Sequence, residues 1–250
     1  MGTMVDHDTR AHVEAVLDWW RAAGVDTVVD DEPRRWLSDG PPSLVAATPA
    51  ESATAAPTAL PDTLAGFVDW FMRDTTLLAS FPIHRRRAPE GSVASGLMIV
   101  TDVPEAGDVE AGRLLTGDAG QLLDRMLAAI GRDRASIYLA TLAPARPPTG
   151  RLDDSATDEL APALLRHIAL AAPAKLWLLG RAASRAVLGM DEAQATGRLH
   201  SVNYEGVKVD MIATVHPRIL IREAASDRRE RPLRKRAWET MQMLMELTPA

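Results

Sequence analysis

Residues 97–108 read LMIVTDVPEAGD. Four apolar residues run into a Thr-Asp pair, and a proline follows two residues later. A short unbroken apolar run closed by a turn signal reads as a strand buried on both faces. Such strands belong to parallel sheets covered by helices. The run also ends on a carboxylate, Asp102, which either terminates the strand or presents an acid or base at the rim of the sheet.

The same unit recurs downstream. SIYLATL (136–142), KLWLLG (175–180) and VKVDMIATVH (207–216) read as three further strands. Between and after them lie the helical patterns GQLLDRMLAAIG (120–131), DELAPALLRHIALAA (158–172, with Pro162 in its first turn), RAASRAVLG (181–189) and RKRAWETMQMLMEL (234–247). Strands alternating with helices predict an α/β fold, a three-layer α/β/α sandwich around a central four-stranded, mostly parallel sheet. In such sheets ligands sit beyond the carboxyl ends of the strands. Asp102, Thr141 and His216 all fall at or near such ends.

Upstream, DTRAHVEAVLDWWRAA (8–23) spaces Val13, Val16, Leu17 and Trp20 at helical intervals. GPPSLVAATPAESATAAPTALP (40–61) is nearly free of charge and rich in Ala, Pro, Ser and Thr, a composition that reads as a linker. A helix is predicted over 62–74. The chain is therefore divided into an N-terminal helical segment (1–39), a linker (40–61) and an α/β/α domain (62–250).

Composition narrows the function. The 250 residues are 46% hydrophobic and 25% charged, ordinary globular values. No apolar stretch is long enough to span a bilayer, and the N-terminus lacks a signal-peptide pattern, so a cytoplasmic protein that does not engage membranes is expected. The absence of cysteine excludes disulfides, thiolate metal sites and a cysteine nucleophile. His7, His12, His84, His167 and His200 have no metal-ligand spacing and read as structural or surface residues; no metal or other cofactor is expected. A net charge of −6 argues against a nucleic-acid surface spread over the whole molecule, though not against a local one. His84-Arg85-Arg86-Arg87 reads as a solvated loop, and RRERPLRKR (228–236) as part of a solvated terminal helix.

The segment TDVP (101–104), followed by GRLLTGDAGQLLD (112–124), resembles the family 4 uracil-DNA glycosylases, whose pattern is G-E-x-P-G and then G-x-P-F-V-G-x-A-G-x-L-L-D. IYLATLAPARPPTGR (137–151) resembles the family's V-Y-I-T-N-x-x-x-C-R-P-P-x-N-R, and VHPRILIR (215–222) its H-P-x-x-L-L-R. The order and spacing hold over nearly all of 97–240. The resemblance implies the uracil-DNA glycosylase fold, base excision repair, and DNA, single- or double-stranded, as partner of a monomeric protein.

The departures bear on activity. The family's first-motif glutamate falls on Asp102, its uracil-stacking phenylalanine on Leu115, and its edge-reading asparagine on Thr141. His216 is retained. The motif's closing glycine is replaced in TDVPE. The family's cluster cysteines fall on Ala145 and Leu160, and near Leu78 and Phe81. The resemblance thus points to a divergent member without the iron–sulfur cluster, with a core packed at the former ligand positions.

Cleaving a base from deoxyribose develops positive charge on the sugar and negative charge on the base. A carboxylate can stabilise the sugar and orient water, and a histidine can stabilise the base anion. Asp102 and His216 are accordingly the candidate catalytic residues, against the plainer readings of a strand terminator and a His-Pro turn. Val103, Pro104, Leu115 and Thr141 would line the base pocket. Gly117 and Gly120, at a helix start, with Arg146, Arg151, Arg218 and Arg222 would meet phosphates. Ile219 and Leu220 would wedge into the vacated stack. Two functions follow: a glycosylase hydrolysing the N-glycosidic bond of uracil or another damaged base, or a DNA-binding paralogue that has lost catalysis. An unrelated nucleotide-binding domain would need a G-x-G-x-x-G or Walker loop, and neither occurs.

Overall fold

The run LMIVT does form a strand, and every residue in it is buried. The computed structural model describes residues 60–204, 206–225 and 232–246, all within one compact unit, Pro57–Ala250. The helix predicted over 8–23 and nearly all of the linker lie outside the described residues. In chain order the elements are α1 (Leu64–Arg73), β1 (Glu90–Gly91), β2 (Leu97–Thr101), α2 (Asp108–Ala111), α3 (Gly117–Ala129), β3 (Tyr138–Thr141), α4 (Asp154–Ala171), β4 (Lys175–Leu179), α5 (Arg181–Leu188), α6 (Glu192–Ala195), β5 (His200–Tyr204), β6 (Val207–Thr214), α7 (Pro217–Ala224) and α8 (Pro232–Glu246). No helix among the described residues is long and apolar enough to cross a membrane.

The sheet has six strands in the order β1-β3-β2-β4-β6-β5, rather than the predicted four. The four expected strands are its parallel centre. The two additions, β1 and β5, pair antiparallel at the edges. β1 is only two residues long, and β5 alternates half-buried with exposed positions. Neither presents the apolar run that marks a strand buried on both faces. From β2 the chain steps to β3 on one side and then to β4 on the other. That reversal makes the carboxyl end of β2 the topological switch point, where such sheets bind ligands.

Alternate side chains enter opposite layers, as a pleated strand requires. Met98 and Val100 pack with Leu176, Leu178, Met211 and Ala213 against α4 and α5. Leu97 and Ile99 pack with Trp177, Leu179 and Ile212 against α3 and α8. In α4, Thr157, Leu160, Leu164, His167 and Ala171 recur at helical spacing and are buried. Asp153 caps this helix, accepting the Ala156 N–H at 2.8 Å. The helix begins four residues before its predicted start, so Pro162 lies in its interior rather than its first turn. The segment after His216 is likewise a helix, α7, with His216 at its N-cap and Pro217 at its first position.

Arg86 corrects the reading of 84–87 as a solvated loop. It is 4% exposed, and its guanidinium donates to four carbonyl oxygens: Phe81 at 2.9 Å, Phe71 at 3.3 Å, Asp74 at 2.7 Å and Leu78 at 2.7 Å. Five donors in a rigid fork suit such convergence. One side chain thereby ties the end of α1 to the turn that follows it.

Candidate active site

Asp102 follows β2 directly. Its backbone is held in place because the ladder runs on past the strand, with Ala143 N donating to the Asp102 carbonyl at 3.1 Å. Its carboxylate is turned onto the N-terminus of α5, where Oδ1 accepts the Ala183 N–H at 2.7 Å. The helix needs this partner because its N-cap residue, Gly180, has no side chain to cap it. Gly180 has φ 109°, and a Cβ there would lie 2.6 Å from Asp102 Oδ2, so glycine is what lets the carboxylate approach. Burial pushes the Asp102 pKa up to about 6, against the lowering effect of the Ala183 and Ala182 N–H groups and of Arg218. Asp102 also lines a cleft of about 490 Å³ with Arg151, Leu152, Asp153, Asp154, Arg181 and Ala182.

His216 lies just past the end of β6 and is 5% exposed. Its Nδ1 accepts the Arg218 N–H at 3.1 Å, which leaves the proton of the neutral ring on Nε2. Burial, helped by Arg218 and Arg146, lowers its pKa to about 3. The ring is therefore a neutral donor near pH 7, fixed in orientation by its own helix N-terminus. Arg218 shifts both Asp102 and His216, so the two candidate catalytic residues share one electrostatic neighbourhood.

The donor of His216 does not face empty space. Nε2 lies 3.5 Å from Glu105 Oε1. Glu105 Oε2 lies 3.4 Å from Arg218 Nη1 and 3.7 Å from Arg146 Nη1. Glu105 is a site residue that the sequence pattern does not reveal as one. Its only signal is that a carboxylate closes TDVPE. Its backbone is pinned by Asp108, a buried carboxylate that accepts from Glu105 N at 2.7 Å, Leu115 N at 2.9 Å, Thr116 N at 2.9 Å and Thr116 Oγ1 at 2.6 Å. A second cleft, of about 320 Å³, is lined by Glu105, Arg85, Pro104, Ala106, Val109, Arg146, Pro147 and Pro148.

The expected pocket residues divide. Thr141 is 2% exposed, and its Oγ1 has no hydrogen-bond partner among the described residues. Pro104 lines the second cleft, and its carbonyl accepts from Arg146 Nη1 at 3.1 Å. Val103 packs into the core beneath β2. Leu115, 1% exposed at φ 49°, packs into the opposite layer.

The expected DNA-contact residues divide as well. Arg151 and Arg222 are exposed, Arg218 and Ile219 half-buried. Leu220 is 3% exposed and packs with Leu122, Val215 and Ala237, so it anchors α7 rather than standing free as a wedge. Gly117 is exposed at φ 64°. Gly120 is buried, and a Cβ there would meet the Leu115 carbonyl oxygen at 1.9 Å, which makes it a packing glycine.

The family model described as the uracil DNA glycosylase superfamily matches residues 88–242, more than half of the chain, including Asp102, Glu105, Thr141 and His216. The chain belongs to this superfamily. Among similar proteins, a type-4 uracil-DNA glycosylase of Pyrobaculum aerophilum is 30% identical over 155 residues, covering 58% of this chain and 79% of its own length. One of Archaeoglobus fulgidus is 29% identical over 136 residues, covering 51% and 67%. One of Saccharolobus solfataricus is 28% identical over 138 residues, covering 51% and 63%.

This member of the superfamily cannot hold an iron–sulfur cluster in the ordinary way. It has no cysteine, and Leu78, Phe81, Ala145 and Leu160 are all buried in one apolar cluster. Arg86 donates to carbonyls in the same region. Hydrocarbon and a guanidinium offer no thiolate ligand. Nor does any group of three or more His, Asp or Glu among the described residues converge to hold a metal ion.

Proposed function

We propose that the chain is a DNA glycosylase that takes a damaged base, uracil or another, out of the stack and hydrolyses its N-glycosidic bond. The observation that carries this reading is His216: a neutral, buried imidazole whose tautomer is fixed so that Nε2–H points into the site. A fixed neutral donor suits negative charge that develops on a base oxygen, because it needs no reorganisation as the reaction proceeds. Asp102 supplies the other half. As a carboxylate it stabilises the oxocarbenium-like sugar and orients water. The water adds to C1′ and gives up a proton to solvent, while the base departs with the bonding electrons and its anion takes a proton from solvent. With a pKa of about 6 it is ionised at neutral pH. The Thr141 hydroxyl, without a partner among the described residues, offers one hydrogen bond to the base edge. Leu115 offers no aromatic face, and that loss removes stacking worth roughly 1–3 kcal/mol. Discrimination for uracil is therefore expected to be weak. Arg146, Arg151, Arg218 and Arg222 serve the phosphates.

One observation favours the second reading, a DNA-binding paralogue without catalysis. Asp102 Oδ1 is already committed to a helix N-terminus. Oligonucleotides carrying uracil, hypoxanthine, xanthine or a mismatched thymine, single- and double-stranded, separate the two. Alkali-labile abasic sites in any of them support the glycosylase. Tight binding with no product on every one supports the silent paralogue.

A further inference from the structure

We propose that Glu105 is a resident anion: its carboxylate occupies the position at His216 that the leaving base oxygen would take, and incoming DNA phosphate has to draw Arg146 and Arg218 away from it before the site can act. The inference rests on the reading of His216 given above and adds the residue that limits it.

Three features of Glu105 support this. Its Oε1 lies 3.5 Å from Nε2, the one donor His216 has to offer. Oε1 is also buried and accepts no hydrogen bond among the described residues. Its Oε2 sits between two cations at 3.4 and 3.7 Å, both longer than the roughly 2.7–2.9 Å of a well-formed charge-assisted hydrogen bond. The contrast with Asp108, three residues on, is direct: that carboxylate takes four donors at 2.6 to 2.9 Å. Asp108 is built as a structural carboxylate. Glu105 has a fixed backbone and a loosely held side chain, and the 320 Å³ cleft it lines gives that side chain somewhere to go.

The arrangement is self-consistent as an exchange. Two arginines that phosphate would attract are the two that hold Glu105. Their transfer to phosphate leaves the carboxylate beside a neutral imidazole with no cation to retain it, and moving it into the open cleft restores its hydration. Binding of DNA and clearing of the base position are thereby one event. Until that happens, a base oxygen at His216 would face a carboxylate.

The test uses the full chain with Glu105→Gln, which keeps the shape and removes the charge, and Glu105→Gly, which removes both. Binding to a single-stranded oligonucleotide of ordinary bases is titrated at several salt concentrations. Arginines freed in advance predict affinity increased about tenfold, with the salt dependence close to that of wild type because the same phosphates are engaged once DNA is bound. In an Arg218→Ala background the gain should shrink, since the two residues act on one another. Unchanged or weaker binding in both folded variants overturns the proposal. Single-turnover excision is the second readout, with an expected rise of about tenfold or more in Glu105→Gln. A loss of excision would make Glu105 part of the chemistry and also overturn it. If binding tightens while neither wild type nor variants cut any damaged base, the resident anion stands and the glycosylase reading falls.

Discussion

Asp102 has two duties that pull its charge in opposite directions. Its folded pKa is about 6 against an ordinary 3.8. Between those values the folded chain keeps a proton that the unfolded chain has lost. Stability from this group therefore falls as pH rises through that window and levels off above it. The buried charge costs on the order of 2–3 kcal/mol at neutral pH. Asp102→Asn retains an acceptor for the Ala183 N–H and removes the charge. It should melt higher than wild type at about pH 8, with the advantage shrinking toward about pH 4. If Asp102 also orients water, the same variant should lose about 10²–10⁴ in single-turnover excision. In wild type, kcat/KM should climb with pH through about 6. An Asn variant as active as wild type would reduce Asp102 to a helix cap.

At the scale of elements, the segment from α1 to Arg86 carries the clearest stability prediction. Arg86→Met fills similar volume but withdraws donors from four carbonyls. The Leu78 oxygen keeps the Phe81 N–H at 3.0 Å, while those of Phe81, Phe71 and Asp74 lose the donor they take from Arg86. Each buried carbonyl left without a partner costs about 1–3 kcal/mol. A loss of about 3–5 kcal/mol is expected in urea unfolding, and Arg86→Lys should recover little because an ammonium cannot span the four acceptors. A variant within about 1 kcal/mol of wild type would show that the 71–81 segment is held by apolar packing alone.

Which elements are legible in the sequence follows from the same physics. β2, β3, β4 and the second half of β6 are buried on both faces and read as apolar runs. β1 and β5 lie at the edges, where burial imposes no such run. The helix α7 escapes a reading by apolar runs, although His-Pro suits an N-cap and first-turn pair. Asp102 and His216 are legible through position and motif. Arg86 is not, because its partners are backbone carbonyls that leave no mark in the residue alphabet. Glu105 is visible only as a departure from a pattern. Leu220 is expected from the motif as a wedge, and only its packing with Leu122 and Ala237 shows it buried instead.

At the scale of the whole molecule, the two histidines buried among the described residues, His167 and His216, shape the response to acid. His167 stacks on Phe67 at 4.5 Å between ring centroids, shares a 2.9 Å hydrogen bond with the Tyr138 hydroxyl, and has its pKa lowered by burial to about 3. His216 is lowered to about 3 as well. Between those values and the ordinary 6.5, the unfolded chain binds more protons than the folded one. Stability should therefore fall as pH drops below about 6.5, partly offset by Asp102, which takes up a proton in the folded state over an overlapping window. His167→Gln should flatten the pH dependence by up to about one proton, read from denaturant midpoints across the range. An unchanged slope would mean that His167 is protonated in the folded chain.

A catalytic role for His216 on a flipped base is what the proposed function requires. It is tested most directly by single-turnover excision on the damaged-base oligonucleotides, run beside DNA-binding titrations, for wild type and His216→Ala. Wild type should give abasic product on at least one substrate. In the variant that product should disappear while affinity stays within about threefold, because a donor to a developing anion matters mainly in the transition state. Product formed equally well by His216→Ala, or affinity lost in step with activity, would contradict it.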